Sequence, residues 1–101
     1  MRNVLRSDII TKVLTSKDTE YAVPLPEGCS RFIVQPRTAV DLRLAYRPGE
    51  VADATNGQYL TVKAALPPRE RNDVSNPAAV PRVLYLASGS DGTVAEIEVW
   101  S

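Results

Sequence analysis

The chain has no histidine and only one cysteine in 101 residues. Without histidine it lacks the commonest transition-metal ligand and the one side chain that ordinarily titrates near neutral pH. A single thiol can build neither a zinc site nor an intrachain disulfide. Cys29, in "EGCSR", has no histidine to draw off its proton, so a buried, unreactive thiol behaving as a small hydrophobe is expected there. Long apolar runs are also missing, which excludes a membrane-spanning helix. The opening "MRNVLRSDII" carries no apolar stretch of the signal-peptide kind, so the protein is expected to be made and folded in a cytosol. Neither sign of charge is in excess, with 12 basic against 12 acidic residues. Nucleic acid and anionic membranes are therefore not expected partners.

What the chain does have is punctuation. Its eight prolines and five glycines fall almost wholly between strand-like runs at 9–15, 20–23, 30–35, 40–47, 58–64, 82–88 and 93–100, and no stretch of helical length carries a 3.6-residue stripe. About seven short strands in a chain of this length predict an all-β fold, an antiparallel β-sandwich or jelly-roll-like barrel. Residues 1–8 read as an N-terminal arm and 9–101 as a single domain. In "VDLRLAYR", Val40, Leu42, Leu44 and Tyr46 are expected to face the core, with Asp41, Arg43, Ala45 and Arg47 in water. In "QYLTVKA" the inward set is Leu60, Val62 and Ala64; in "SRFIVQP" Phe32 and Val34 oppose Ile33, so both faces are apolar and the strand should be central or covered. The runs at 82–88 and 93–100 flank Gly-Ser-Asp-Gly and are expected to pair as a hairpin, with Ala95, Ile97 and Val99 inward and Trp100 on the wet face.

Two connections, "RPGEVADATNG" and "LPPRERNDVSNPAAVP", are too long to be simple turns and are places to look for binding. In the second, Arg69, Glu70, Arg71 and Asp73 alternate in sign, which suits either a solvated loop or charge-paired contact with a neighbouring subunit. Nine of the 12 basic residues are arginine, the cation favoured at interfaces. Arg2 and Arg6 on the arm and Trp100 at the end of the last strand complete the candidate interface set. Glu96 and Glu98, two apart on one strand face and so about 7 Å from each other, could form a carboxylate pair, but a solvated face balanced by arginines across the sheet is expected. "DATNG" lacks the spaced acidic ligands of a calcium loop and reads as an Asx turn. Tyr21, Tyr46, Tyr59, Tyr85 and Trp100 are too scattered to make an evident sugar-stacking platform. No catalytic residue, metal site or cofactor is expected.

The stretches "TSKDTEYAVPLPEGCSRFIVQPR", "NGQYLTVKA" and "LYLASGSDGTVAEIEVWS" together cover most of residues 12–101, and in them the chain resembles small virion proteins of tailed bacteriophages. "NDVSNPAAV" and the first eleven residues lie outside the resemblance. It implies a β-sandwich located in the virion, a head-decoration or cement protein or a small head-to-tail component, without enzymatic activity or cofactor. The implied partners are the major capsid protein or other virion subunits, with the chain a homo-oligomer on the particle. A tail or fibre module that binds a carbohydrate is the alternative.

Overall fold

The computed structural model describes residues 7–64, 69–72 and 80–100, the side chains of 69–72 excepted. Eight strands run in order: β1 Ser7–Leu14, β2 Tyr21–Pro24, β3 Arg31–Pro36, β4 Leu42–Ala45, β5 Leu60–Val62, β6 Arg69–Asn72, β7 Val83–Ser88 and β8 Thr93–Trp100. They form two four-stranded sheets, β1-β8-β3-β6 and β2-β7-β4-β5, and every pairing is antiparallel. First pairs with last, second with seventh, third with sixth and fourth with fifth. A long hairpin folded over on itself gives that nesting, which is the jelly-roll winding of a β-sandwich.

The eighth strand is the one that hydrophobic alternation does not reveal. Arg69–Asn72, expected to belong to a loop, pairs with β3 from Arg31↔Asn72 to Val34↔Arg69. Arg-Glu-Arg-Asn has no apolar residue with which to mark an inward face. It lies at the margin of its sheet, where charge discourages further pairing. β1 begins at Ser7, so the last two residues of the expected arm belong to the domain.

The core fills from alternate positions of both sheets. Leu14, Phe32, Val34, Ala95 and Ile97 from one meet Leu42, Leu44, Leu84 and Leu86 from the other, all without solvent exposure. β8 alternates buried and half-buried along its whole length, as expected of its sequence. β3, flanked by β8 and β6, is central as its two-sided pattern required.

The expected hairpin does not form. β7 and β8 lie in opposite sheets, each already paired along both edges. Gly89–Gly92 makes a turn, but one that carries the chain across the sandwich. Its fastenings run to β1 and the loop after it: Asp91 Oδ1 accepts from Lys17 N at 2.7 Å, and Gly92 N donates to Leu14 O at 2.9 Å. Ser88 and Thr93, buried at the two ends of the corner, bond each other at 2.8 Å. An Asp-Gly turn specifies a reversal; the side-chain pattern on either side is the same whether the strands then pair or stack.

The outer face of β4 departs further from expectation. Arg43 and Ala45, assigned to water, are 7% and 5% exposed, because residues 47–59 fold back over sheet β2-β7-β4-β5. Ala45, Val51 and Ala87 form a second small core there, with Tyr59 and Tyr85 packed against it. The Arg43 guanidinium donates to Val51 O at 2.8 Å and to Asp18 Oδ1, and lies 5.8 Å from the Tyr59 ring centroid. Leu60, expected inside, is 39% exposed, since β5 is a three-residue strand at the sheet margin. Ala64 follows that strand and is exposed too.

Arg43→Ala should lower folding stability by about 3 kcal/mol, because it leaves buried carbonyls unpaired beneath a packed loop. Arg43→Lys should recover only part of that, as an ammonium cannot span Val51 and Asp18 with one planar fork. Asp18→Asn should cost less than half as much as the alanine change. Urea denaturation of the three variants measures the order.

Candidate functional site

The outer face of sheet β1-β8-β3-β6 is built in cross-strand rows. Trp100 stands between Ser7 and Arg31, Glu98 between Ile9 and Ile33, and Glu96 between Thr11 and Gln35. The Arg31 guanidinium carbon lies 4.3 Å from the Trp100 ring centroid, within the range of a cation–π contact. The Glu96 carboxylate accepts from Gln35 Nε2 at 2.9 Å and Arg37 Nε at 2.7 Å. Those two bonds, the glutamine's first, hold it below the usual glutamate range. A shallow hollow of about 200 Å³ opens among Ile9, Ile33, Gln35 and the two glutamates. Ile9 at 71% and Val13 at 52% are the most exposed large apolar side chains among the described residues, and both belong to this face.

An aromatic–arginine stack, two exposed aliphatic side chains and a fixed carboxylate on one sheet face are side-chain types that protein-binding surfaces favour. Of the expected interface residues, Trp100 is on this face. β6, with Arg69, Glu70 and Arg71, borders the same sheet through β3, and its backbone alone is described. Arg2, Arg6 and Asp73 lie outside the described residues. Ile9, Val13, Arg31 and Arg37 were not singled out from the sequence. Only the register brings them to this face, Arg31 beside Trp100, Arg37 beside Glu96, Ile9 beside Glu98 and Val13 beside Val94.

Several of the groups singled out for chemistry from the sequence make local structural contacts. Cys29 is 5% exposed and its Sγ donates to Arg31 O at 3.3 Å. The cleft beside it, about 510 Å³ between Leu25–Cys29 and Val80–Arg82, carries one carboxylate, Glu27, and one guanidinium, Arg82. Glu96 is balanced by an arginine across the sheet, as expected. Asp53 accepts from the backbone N–H groups of Thr55 and Asn56, both at 3.0 Å, so "DATNG" is an Asx turn. Those backbone bonds lower its pKa, Asn56's most. Gly57 closes the same turn, where a Cβ would stand 1.9 Å from Glu50 O. Among the described residues no three histidine, cysteine or acidic side chains converge as metal ligands would. The aromatics are spread over the fold: Tyr46 meets Phe32 edge-on at 6.4 Å, Tyr21 lies under Lys12, and Tyr59 packs with Tyr85 on the small second core. No protein-family model matches the chain, and no curated protein is significantly similar to it.

Among the described residues three carboxylates have depressed pKa values: Asp53, Glu96, and Asp41, which accepts from Ala64 N and Lys63 Nζ. As pH falls, the unfolded chain takes up protons first, near the ordinary 3.8 of aspartate and 4.5 of glutamate. The folded state is thereby disfavoured. Stability should be level above about pH 5.5 and decline as pH drops through that range. Urea midpoints from pH 7 to pH 3 should show this, with Glu96→Gln giving a shallower decline than the native chain.

Proposed function

We propose that the protein is a non-enzymatic structural component of a tailed-phage virion, a decoration or cement protein that binds the assembled capsid through the outer face of sheet β1-β8-β3-β6. The observation that carries this reading is the composition of that face: the Trp100–Arg31 stack, exposed Ile9 in the row next to it, and exposed Val13 farther along the same strand. A rigid sheet presenting such anchors can bury apolar area against a larger subunit with little loss of entropy. The sequence resemblance points the same way, and jelly-roll sandwiches are common in capsid proteins. That last support is analogy of fold, since the same winding also serves lectins. The partners would be the major capsid protein or another virion subunit, and the protein would reside in the virion after synthesis in the host cytoplasm.

A second reading, a carbohydrate-binding module of a tail or fibre, draws on one feature. A hollow of about 420 Å³ lies beside Tyr46, Tyr59 and Leu60, and a sugar could stack on the Tyr59 ring there.

Co-sedimentation with empty capsids, run beside a glycan array, separates the two. Under the capsid reading, Trp100→Ala should reduce particle occupancy by roughly tenfold or more while leaving the isolated domain folded, as the loss of an interface anchor does. Ile97→Ala should instead lower folding stability by about 2–5 kcal/mol through the cavity it opens in the core. Capsid binding unaffected by Trp100→Ala removes this face from the contact. Glycan binding abolished by Tyr59→Ala, with no capsid binding, selects the second reading.

A further inference from the structure

The sandwich has four sheet margins, and three are guarded. β5 is three residues long, β2 is four and ends in Pro24, and β6 is four residues of charged and polar sequence. β1 is different: eight residues without proline, at the margin of its sheet, with Ile9 and Val13 exposed on its outer face. Long edges without proline are templates for pairing with another strand, and the charges on this one, Asp8 and Lys12, discourage that only where the incoming strand leaves them unmatched.

The direction of its free hydrogen-bonding groups follows from β8. Val94 O accepts from Arg37 N at 2.8 Å, and Trp100 O accepts from Ser30 N at 2.8 Å, so the even-numbered residues of β8 turn their backbone groups toward β3. Its odd-numbered residues therefore serve β1, where their partners are Asp8, Ile10, Lys12 and Leu14. That leaves the N–H and C=O of Ser7, Ile9, Thr11 and Val13 directed at the open side.

The side chains on the inner face of this edge are complementary to themselves. Ile10 lies midway between Asp8 and Lys12 and is half-buried. Asp8 and Lys12 are four residues apart on an extended strand, about 13 Å, too far to pair within one chain. Among the described residues Asp8 has no ion pair, and Lys12 reaches only the Tyr21 ring, at 5.6 Å. In an antiparallel pairing of two copies about a two-fold axis at Ile10, each Asp8 stands opposite the other copy's Lys12, and the two Ile10 side chains meet on the axis.

We propose that β1 is a homodimerisation edge: two copies join β1 to β1 in this register, making one continuous sheet from two. Thr11 then exchanges backbone hydrogen bonds with Ile9 of the second copy, and Ser7 with its Val13. The pairing extends the outer faces of the two sheets into one surface, so the dimer presents both Trp100–Arg31 stacks on the same side. The inference stands whether or not the protein belongs to a virion.

Light scattering coupled to size exclusion, over a range of protein concentration, should give a mass rising from one chain to two. Lys12→Asp should weaken the dimer by roughly tenfold or more, because it opposes two carboxylates. The exchanged pair Asp8→Lys with Lys12→Asp should restore it, an outcome no general destabilisation would produce. Thr11→Pro, which removes an N–H directed at the open side and none serving β8, should give a folded monomer by circular dichroism and thermal melting. A native chain that stays monomeric throughout, or a dimer that survives Thr11→Pro and Lys12→Asp, overturns the proposal. Failure of capsid binding alone does not touch it.

Discussion

A guanidinium with five N–H donors has been folded onto a face that water does not reach, and much of the architecture answers to it. Arg43 occupies a strand whose four side chains are all buried. A charge in that position is tolerable only when hydrogen-bonded and paired. The carbonyl of Val51 and the carboxylate of Asp18 supply those partners, from two different loops. Asp18 reaches it from a left-handed backbone position, φ 52°, itself pinned by a 2.7 Å bond from Asp18 N to Ser88 O. One side chain thus ties β4, the β1–β2 loop and the β4–β5 connection into a second layer over one sheet.

That layer makes the two sheets unequal. Sheet β2-β7-β4-β5 is covered over part of its outer face by residues 47–59, a connection braced by Glu50 on Gln58 N and Tyr59 Oη on Ala54 O. Sheet β1-β8-β3-β6 has no such roof among the described residues, and its outer face carries the arginine–tryptophan stack and the exposed aliphatics. The long connection at 47–59 thus serves as a cover for one sheet, and the opposite sheet is the one whose outer face is open among the described residues.

What could be read from the sequence was whatever leaves a period-2 trace. β8 alternates without a break, and its inward residues Ala95, Ile97 and Val99 were legible from the order of residues alone. The all-β class, the Asx turn at Asp53 and the two-sided β3 were legible for similar reasons, since each follows from residues close in sequence. β6 was hidden because four polar residues carry no periodicity. Arg43 was misassigned because alternation tells which face a side chain takes and not what covers that face, and its partners are the covering residue Val51 and Asp18, the latter twenty-five residues away. The pairing of β7 and β8 failed on the same ground: Gly-Ser-Asp-Gly specifies a reversal, and the choice between pairing and crossing depends on which strands already occupy their edges.

The candidate face shows the same division between local and long-range information. Trp100 could be picked out because a large aromatic on an outward position is visible in the sequence. Its neighbours Arg31 and Ser7 could not, because they are 69 and 93 positions distant and meet it only through the register of β3 and β1. Once β8 is placed between those two strands, every outward residue acquires two lateral neighbours, and a row such as Ile9–Glu98–Ile33 becomes a surface with its own chemistry. Glu98 is then set between two aliphatic side chains and Glu96 between Thr11 and Gln35, while Arg37 neutralises Glu96. The two carboxylates that looked equivalent in sequence are thus in different settings: Glu96 is fixed by two hydrogen bonds, and Glu98 stands between Ile33 and the exposed Ile9, so that a charge which the sequence pairs with its neighbour is placed by the register in an aliphatic row instead.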